Sequence, residues 1–72
     1  MDMTASEKIR ILVKRQKMSL GELADALNQS RQNLSNKMSR DNFSTKELEQ
    51  IADALGCELR IQFVSKSNGE VL

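Results

Sequence analysis

A chain of 72 residues, 39% of them hydrophobic, makes one small domain, and such a domain buries only about 60% of the surface that its unfolded form exposes. Scaffolds of this size usually lean on disulfides, a metal or self-association. With Cys57 as the sole cysteine and no histidine, an intrachain disulfide is excluded and zinc lacks ligands. No metal and no cofactor are therefore expected, and oligomerisation is the remaining support. No apolar run approaches the 18 or so residues of a membrane span, and no signal peptide is evident, so a soluble protein of the reducing cytoplasm is expected.

The net charge of +1 hides an asymmetry. Residues 5–40 hold Lys8, Arg10, Lys14, Arg15, Lys17, Arg31, Lys37 and Arg40 against Glu7, Glu22 and Asp25. Residues 41–72 hold Lys46, Arg60 and Lys66 against Asp41, Glu47, Glu49, Asp53, Glu58 and Glu70. The basic N-terminal half suggests an anionic partner, although a solvated basic face would give the same composition.

In chain order, Thr4 and Glu7 have capping-box spacing and open a first helix over about Ala5–Gln16, with Ile9, Leu12 and Val13 as its apolar stripe. Ser19 and Glu22 repeat the box, with Met18 and Leu23 placed as a hydrophobic staple. Leu20, Leu23, Ala24 and Leu27 line one face of this second helix. Asn28 falls where a helix needs a left-handed C-terminal residue, and Ser30 is a good N-cap for a third helix. That helix, about Arg31–Ser39, has only Leu34 and Met38 as large apolar residues, so it can bury one narrow ridge. Ser44 and Glu47 make a third capping box, flanked by Phe43 and Leu48. The fourth helix carries Leu48, Ile51, Ala52 and Leu55 to a stop at Gly56.

Beyond Gly56 the apolar period falls to two. Cys57, Leu59, Ile61 and Phe63 alternate with Glu58, Arg60 and Gln62, which predicts a strand over 57–64. Asn68-Gly69 is a tight-turn signal, leaving open whether 65–72 return as a second strand. An exposed edge on such a strand invites pairing with a second copy. Leu59, Ile61 and Phe63 are thus expected at the interface of a homodimer.

The unit Ser19–Arg40 joins two short helices through Asn28-Gln29-Ser30, the pattern of a helix-turn-helix. Ala24 is small where the two helices must cross. With Leu34 and Met38 turned inward, Arg31, Gln32, Ser35 and Asn36 face outward. Arginine suits guanine O6/N7, and amides suit adenine N6/N7. Between Ala26 and Arg40 stand three bases and no acid.

On Leu23-Ala24, Asn28, Ser30, Leu34, the stretch Asn33–Met38, Phe43-Ser44 and then Leu48, Ile51, Ala52 and Leu55, residues 4–56 resemble the Cro/C1-type helix-turn-helix family, in its small-repressor branch. The resemblance implies a mainly α fold of four to five helices over 1–56; the alternation described above adds a C-terminal β-strand or short β-hairpin over 57–72 as the expected dimerisation arm. It implies base reading by Ser30, Arg31, Gln32 and Asn36, with Ser35 beside them. The backbone of double-stranded DNA would be held by Asn33, Lys37, Arg40 and Ser19. Two positions depart from the family pattern: Asn28 stands where glycine is usual, and Leu20 where a phosphate-binding glutamine is frequent. Lys37 also stands at a commonly apolar position, where its stem can pack while its amine reaches out.

No nucleophile–base pair or glycine-rich phosphate loop is present, and Cys57 reads as a small buried hydrophobe, so no enzyme is expected. The expected function is a transcriptional repressor whose homodimer, joined through the strand 57–64, binds a palindromic operator. The alternative is an antitoxin-type protein-interaction module that autoregulates through the same helices, for which Ser65–Leu72 offers little chain to wrap a partner.

Overall fold

A computed structural model describes residues 3–72. It contains four helices: α1 (Ala5–Arg15), α2 (Leu20–Ala26), α3 (Arg31–Arg40) and α4 (Thr45–Ala54). Each begins where its sequence supplies an acceptor for orphan amides. Thr4, Ser19 and Ser44 close full capping boxes with Glu7, Glu22 and Glu47, and Ser30 Oγ accepts from Asn33 N.

The helix ends share a second device. In all four, a left-handed residue follows the last turn, and two amides reach back to the carbonyls of that turn. The left-handed residues are Lys17, Asn28, Asp41 and Gly56, with φ of 55°, 57°, 51° and 67°. For α1 the bonds are Lys17 N to Lys14 O (3.0 Å) and Met18 N to Val13 O (3.0 Å). Asn28 N to Asp25 O and Gln29 N to Ala24 O repeat the pattern after α2. Asn28 and Gly56 are legible in the sequence; Lys17 and Asp41 are not, because L-side chains ordinarily avoid this conformation.

The core gathers Ile9 and Val13 of α1, Leu23 and Ala24 of α2, Leu34 and Met38 of α3, and Ile51 and Leu55 of α4. Met18, Leu20, Phe43, Leu48 and Cys57 pack around it half-buried. Ala24 is buried where α2 packs against α3, and α2 also packs against α4. Polar ties complete the assembly. Gln16 Nε2 donates to Leu55 O, joining the C-terminal ends of α1 and α4. Ser6, 6% exposed, joins the start of α1 to the end of α3: its N–H donates to Asp41 Oδ1 (2.8 Å), and its hydroxyl lies 2.7 Å from Met38 O and 2.9 Å from Asp41 Oδ1.

The C-terminal region corrects the sequence-based expectation. The described residues contain no strand and no hairpin. Residues 57–62 have no ladder partner. Phe63 exchanges two backbone hydrogen bonds with Leu72 (2.9 Å each), and next to them a single isolated antiparallel bridge, Val64 to Val71, closes the turn around Gly69. Alternation supplies an amphipathic face, but a strand also needs a neighbour for its backbone groups, and an isolated pair of short segments is marginal in water. The dimerisation strand expected over 57–64 is therefore absent. Leu59 is half-buried beside α1 and α4, while Ile61 and Phe63 are 54% and 76% exposed. The palindromic operator inferred from that pairing loses its structural basis with it. No helix among the described residues is long and apolar enough to cross a membrane.

Candidate nucleic-acid interface

The outward face of α3 is built by subtraction. Leu34 and Met38, one turn apart, are buried at 0% and 2% exposure and anchor the helix. A helix held by one ridge leaves the rest of its circumference free. Arg31, Gln32, Asn33, Asn36 and Arg40 are all exposed, as is the N-cap Ser30. Ser35 is half-buried, so of the expected base-reading residues it is the least presented. The Arg31 side chain runs beside Gly21, its Cδ 3.6 Å from where a β-carbon on that glycine would lie, so the start of α3 lies close to the start of α2.

The amides of this face are ordered among themselves. Gln32 Nε2 donates to Asn36 Oδ1 at 3.1 Å, and Asn33 Nδ2 donates to Gln29 Oε1 at 3.0 Å. The first is an i to i+4 pair within α3, the spacing that brings side chains together on a helix surface; in the second, Gln29 belongs to the turn before the cap Ser30. Asn33 is thus turned back toward the α2–α3 turn, whereas Gln32 and Asn36 remain on the open face.

Alongside, a groove of about 440 Å³ runs between α3 and the start of α4, lined by Asn33, Asn36, Lys37, Arg40, Asn42, Phe43, Ser44 and Glu47. The expected phosphate ligand Lys37 is half-buried here and forms an ion pair with Glu47. That hydrogen bond from Lys37, followed by the Ser44 N–H, holds the Glu47 carboxyl below its ordinary value of 4.5. Glu47 therefore caps α4 and neutralises Lys37 at once. Sequence reading explained it as a cap alone, because a partner ten residues away in another element leaves no local signal. Arg40 is exposed and takes part in no ion pair among the described residues.

Ser19, also expected at the DNA backbone, is exposed at the start of α2. Its Oγ accepts from Glu22 N at 3.0 Å and its N–H donates to Glu22 Oε1 at 2.9 Å. Its hydroxyl proton remains as a donor for a further partner. Leu20 beside it packs half-buried against the core. Lys14 and Arg15 at the end of α1 are exposed. Of the residues expected at the interface, Ser30, Arg31, Gln32, Asn33, Asn36 and Arg40 are thus exposed along α3, while Lys37 is paired internally and Ser35 is half-buried.

No curated protein and no solved structure matches the chain. Residues 2–59, a span that takes in α1 to α4, match the family described as "Domain of unknown function (DUF6471)", and the chain belongs to that family.

Proposed function

We propose that this protein is a non-enzymatic, sequence-specific regulator of transcription, a repressor that binds double-stranded DNA with α3 in the major groove. The observation that carries the reading is the composition of the free face of α3. It offers Arg31, Gln32, Asn33, Asn36 and Arg40 to solvent, with no acidic residue between Ala26 and Arg40 to repel phosphate. A helix of ten residues is about 15 Å long, and the major groove, about 12 Å wide, admits it. The tight turn through left-handed Asn28 and the packing of α2 against α3 support a helix-turn-helix, as does the resemblance to Cro/C1-type regulators.

Within this reading, Arg31 pairs with guanine, Gln32 and Asn36 read bases, and Arg40 holds phosphate. Lys37, paired with Glu47, contributes less to affinity than its charge suggests. Selection of bound duplexes from a random pool, followed by binding measurements at several salt concentrations, tests the proposal. Arg31→Ala should relax preference at one base pair. Arg40→Ala should weaken all duplexes alike and lower the salt slope by about one unit. Failure of the wild type to enrich any sequence, at low as well as moderate salt, overturns the proposal.

One observation favours a second reading as a protein-interaction module. An apolar groove of about 540 Å³ lies between α1, α4 and residues 57–61, next to the exposed Ile61, Phe63 and Val64. A protein partner bound there would be retained by chains altered at Arg31 and Arg40 and lost on changing Leu59 or Ile61, which separates the two readings.

A further inference from the structure

The hydrogen bond between Gln32 and Asn36 changes what this face can read. The two residues are one turn apart, so their backbones are separated by about 6 Å along the axis. Successive base pairs are stacked about 3.4 Å apart. Acting separately, the two amides would reach two different base pairs. Instead their tips are joined at 3.1 Å, less than the spacing between neighbouring bases. We propose, resting on the DNA reading above, that Gln32 and Asn36 form one composite reading head addressed to a single A·T base pair.

The donors and acceptors left over give the preference. Gln32 uses one Nε2 hydrogen on Asn36 and keeps its Oε1 acceptor and a second N–H. Asn36 uses its Oδ1 and keeps both Nδ2 hydrogens. The unit therefore presents donors beside an unused acceptor. Adenine shows the complement in the major groove, the N7 acceptor next to the N6 donor. Guanine shows two acceptors, N7 and O6, and so offers no donor of its own to Gln32 Oε1. Holding the glutamine amide through Asn36 also removes rotamer freedom before DNA arrives, so less is lost on binding. Asn33 does not join the head, because its amide is tied to Gln29.

The test compares wild type, Gln32→Ala, Asn36→Ala and the double variant. Each is selected against a random duplex pool and then measured on two duplexes that differ only at the assigned base pair. Both positions are exposed, and unchanged circular dichroism and melting will verify folding of each variant. Each single variant should lose about 5- to 150-fold of its A·T preference at the same base pair, the range for one good bidentate contact. The double variant should lose no more than either single one, since each removes the same unit. If the wild type selects a sharp motif but the two variants relax different base pairs, or the relaxed pair is G·C, this inference falls and the DNA reading stands. Multiplicative losses in the double variant overturn it in the same way. A wild type that enriches no duplex overturns both.

Discussion

The tie between Ser6 and Asp41 should be among the most consequential polar contacts in the domain, and its worth follows from its geometry. Ser6 lies in the first turn of α1, where amides have no partner within the helix. Asp41 Oδ1 accepts one of these amides at 2.8 Å and lies 2.9 Å from the same residue's hydroxyl. The hydroxyl has a single proton to share between that oxygen and Met38 O at 2.7 Å. Ser6→Ala removes the shared bond but leaves the amide bond, and Met38 O keeps its own bond from Asp41 N. The cost should be about 1–2 kcal/mol, toward the upper part of the range for one buried hydrogen bond.

At Asp41 the backbone adds a second effect, because φ is 51°. Asp41→Ala loses both bonds and places an alanine in the left-handed region, itself worth about 1–2 kcal/mol against it. Asp41→Gly loses the bonds but relieves the backbone. Asp41→Asn keeps an acceptor and tolerates the conformation. The expected order of destabilisation is therefore Asn, then Gly, then Ala. Denaturant unfolding monitored by circular dichroism gives each value, and for a domain this small 1 kcal/mol shifts the melting temperature by about 4–8 °C. Ser6→Ala combined with Asp41→Gly, which removes the acceptor without straining the backbone, should show a coupling of at least about 0.5 kcal/mol. Additive single effects, or an Asp41→Gly as stable as wild type, would refute the tie.

Leu34→Ala, at a position with 0% exposure, should cost about 2–5 kcal/mol in denaturant unfolding, because it removes half of the only ridge that anchors α3. Lys17→Gly should raise stability by several tenths to about 1 kcal/mol, since glycine escapes the left-handed penalty at φ 55° despite its larger entropy loss. Glu47→Gln keeps the capping box but loses the pair with Lys37. Because the native carboxyl titrates below 4.5, the advantage of wild type over this variant should be full above that pH and vanish as pH falls through the lowered native value. Ile61→Pro, at a 54% exposed site without a ladder, should leave the unfolding midpoint within about 0.5 kcal/mol of wild type; a large loss would mean that the segment is paired after all.

Local signals carried the four helices. Capping boxes at Thr4, Ser19 and Ser44 lie within four residues of chain, and the apolar stripes repeat every three or four, so both are visible without knowing the fold. Contacts that join distant segments were hidden. Ser6 and Asp41 are 35 positions apart and Lys37 and Glu47 ten, and nothing near either residue announces the partner. Lys17 and Asp41 were hidden for another reason: their left-handed backbones are imposed by the helix-end bonds and are not preferred by their side chains. The alternation over 57–63 misled because it reports which side chains could share a face. It says nothing of whether an edge exists to pair with: residues 57–61 lie beside helices whose backbone groups are already satisfied, and only Phe63 finds a backbone partner, in Leu72.

The same constraint explains the arrangement of polar ties around α3. A helix that leaves most of its circumference open can bury little, and Leu34 with Met38 is all the apolar anchorage this one has. Its orientation must then be fixed by groups that do not occupy the open face. Ser30 caps the start, Asp41 binds Ser6 at the end, and Lys37 reaches Glu47 along the flank. Each tie leaves the side chains of Gln32 and Asn36 exposed. A basic residue is spent in the process, since Lys37 gains an internal partner instead of a free charge. Arg31 and Arg40, at the two ends of the helix, are left as its unpaired cations among the described residues, with the neutral amide pair between them. On the proposed reading, charge at the ends sets affinity and the amides between them set the sequence, so substitutions at the two kinds of position should separate salt dependence from base preference.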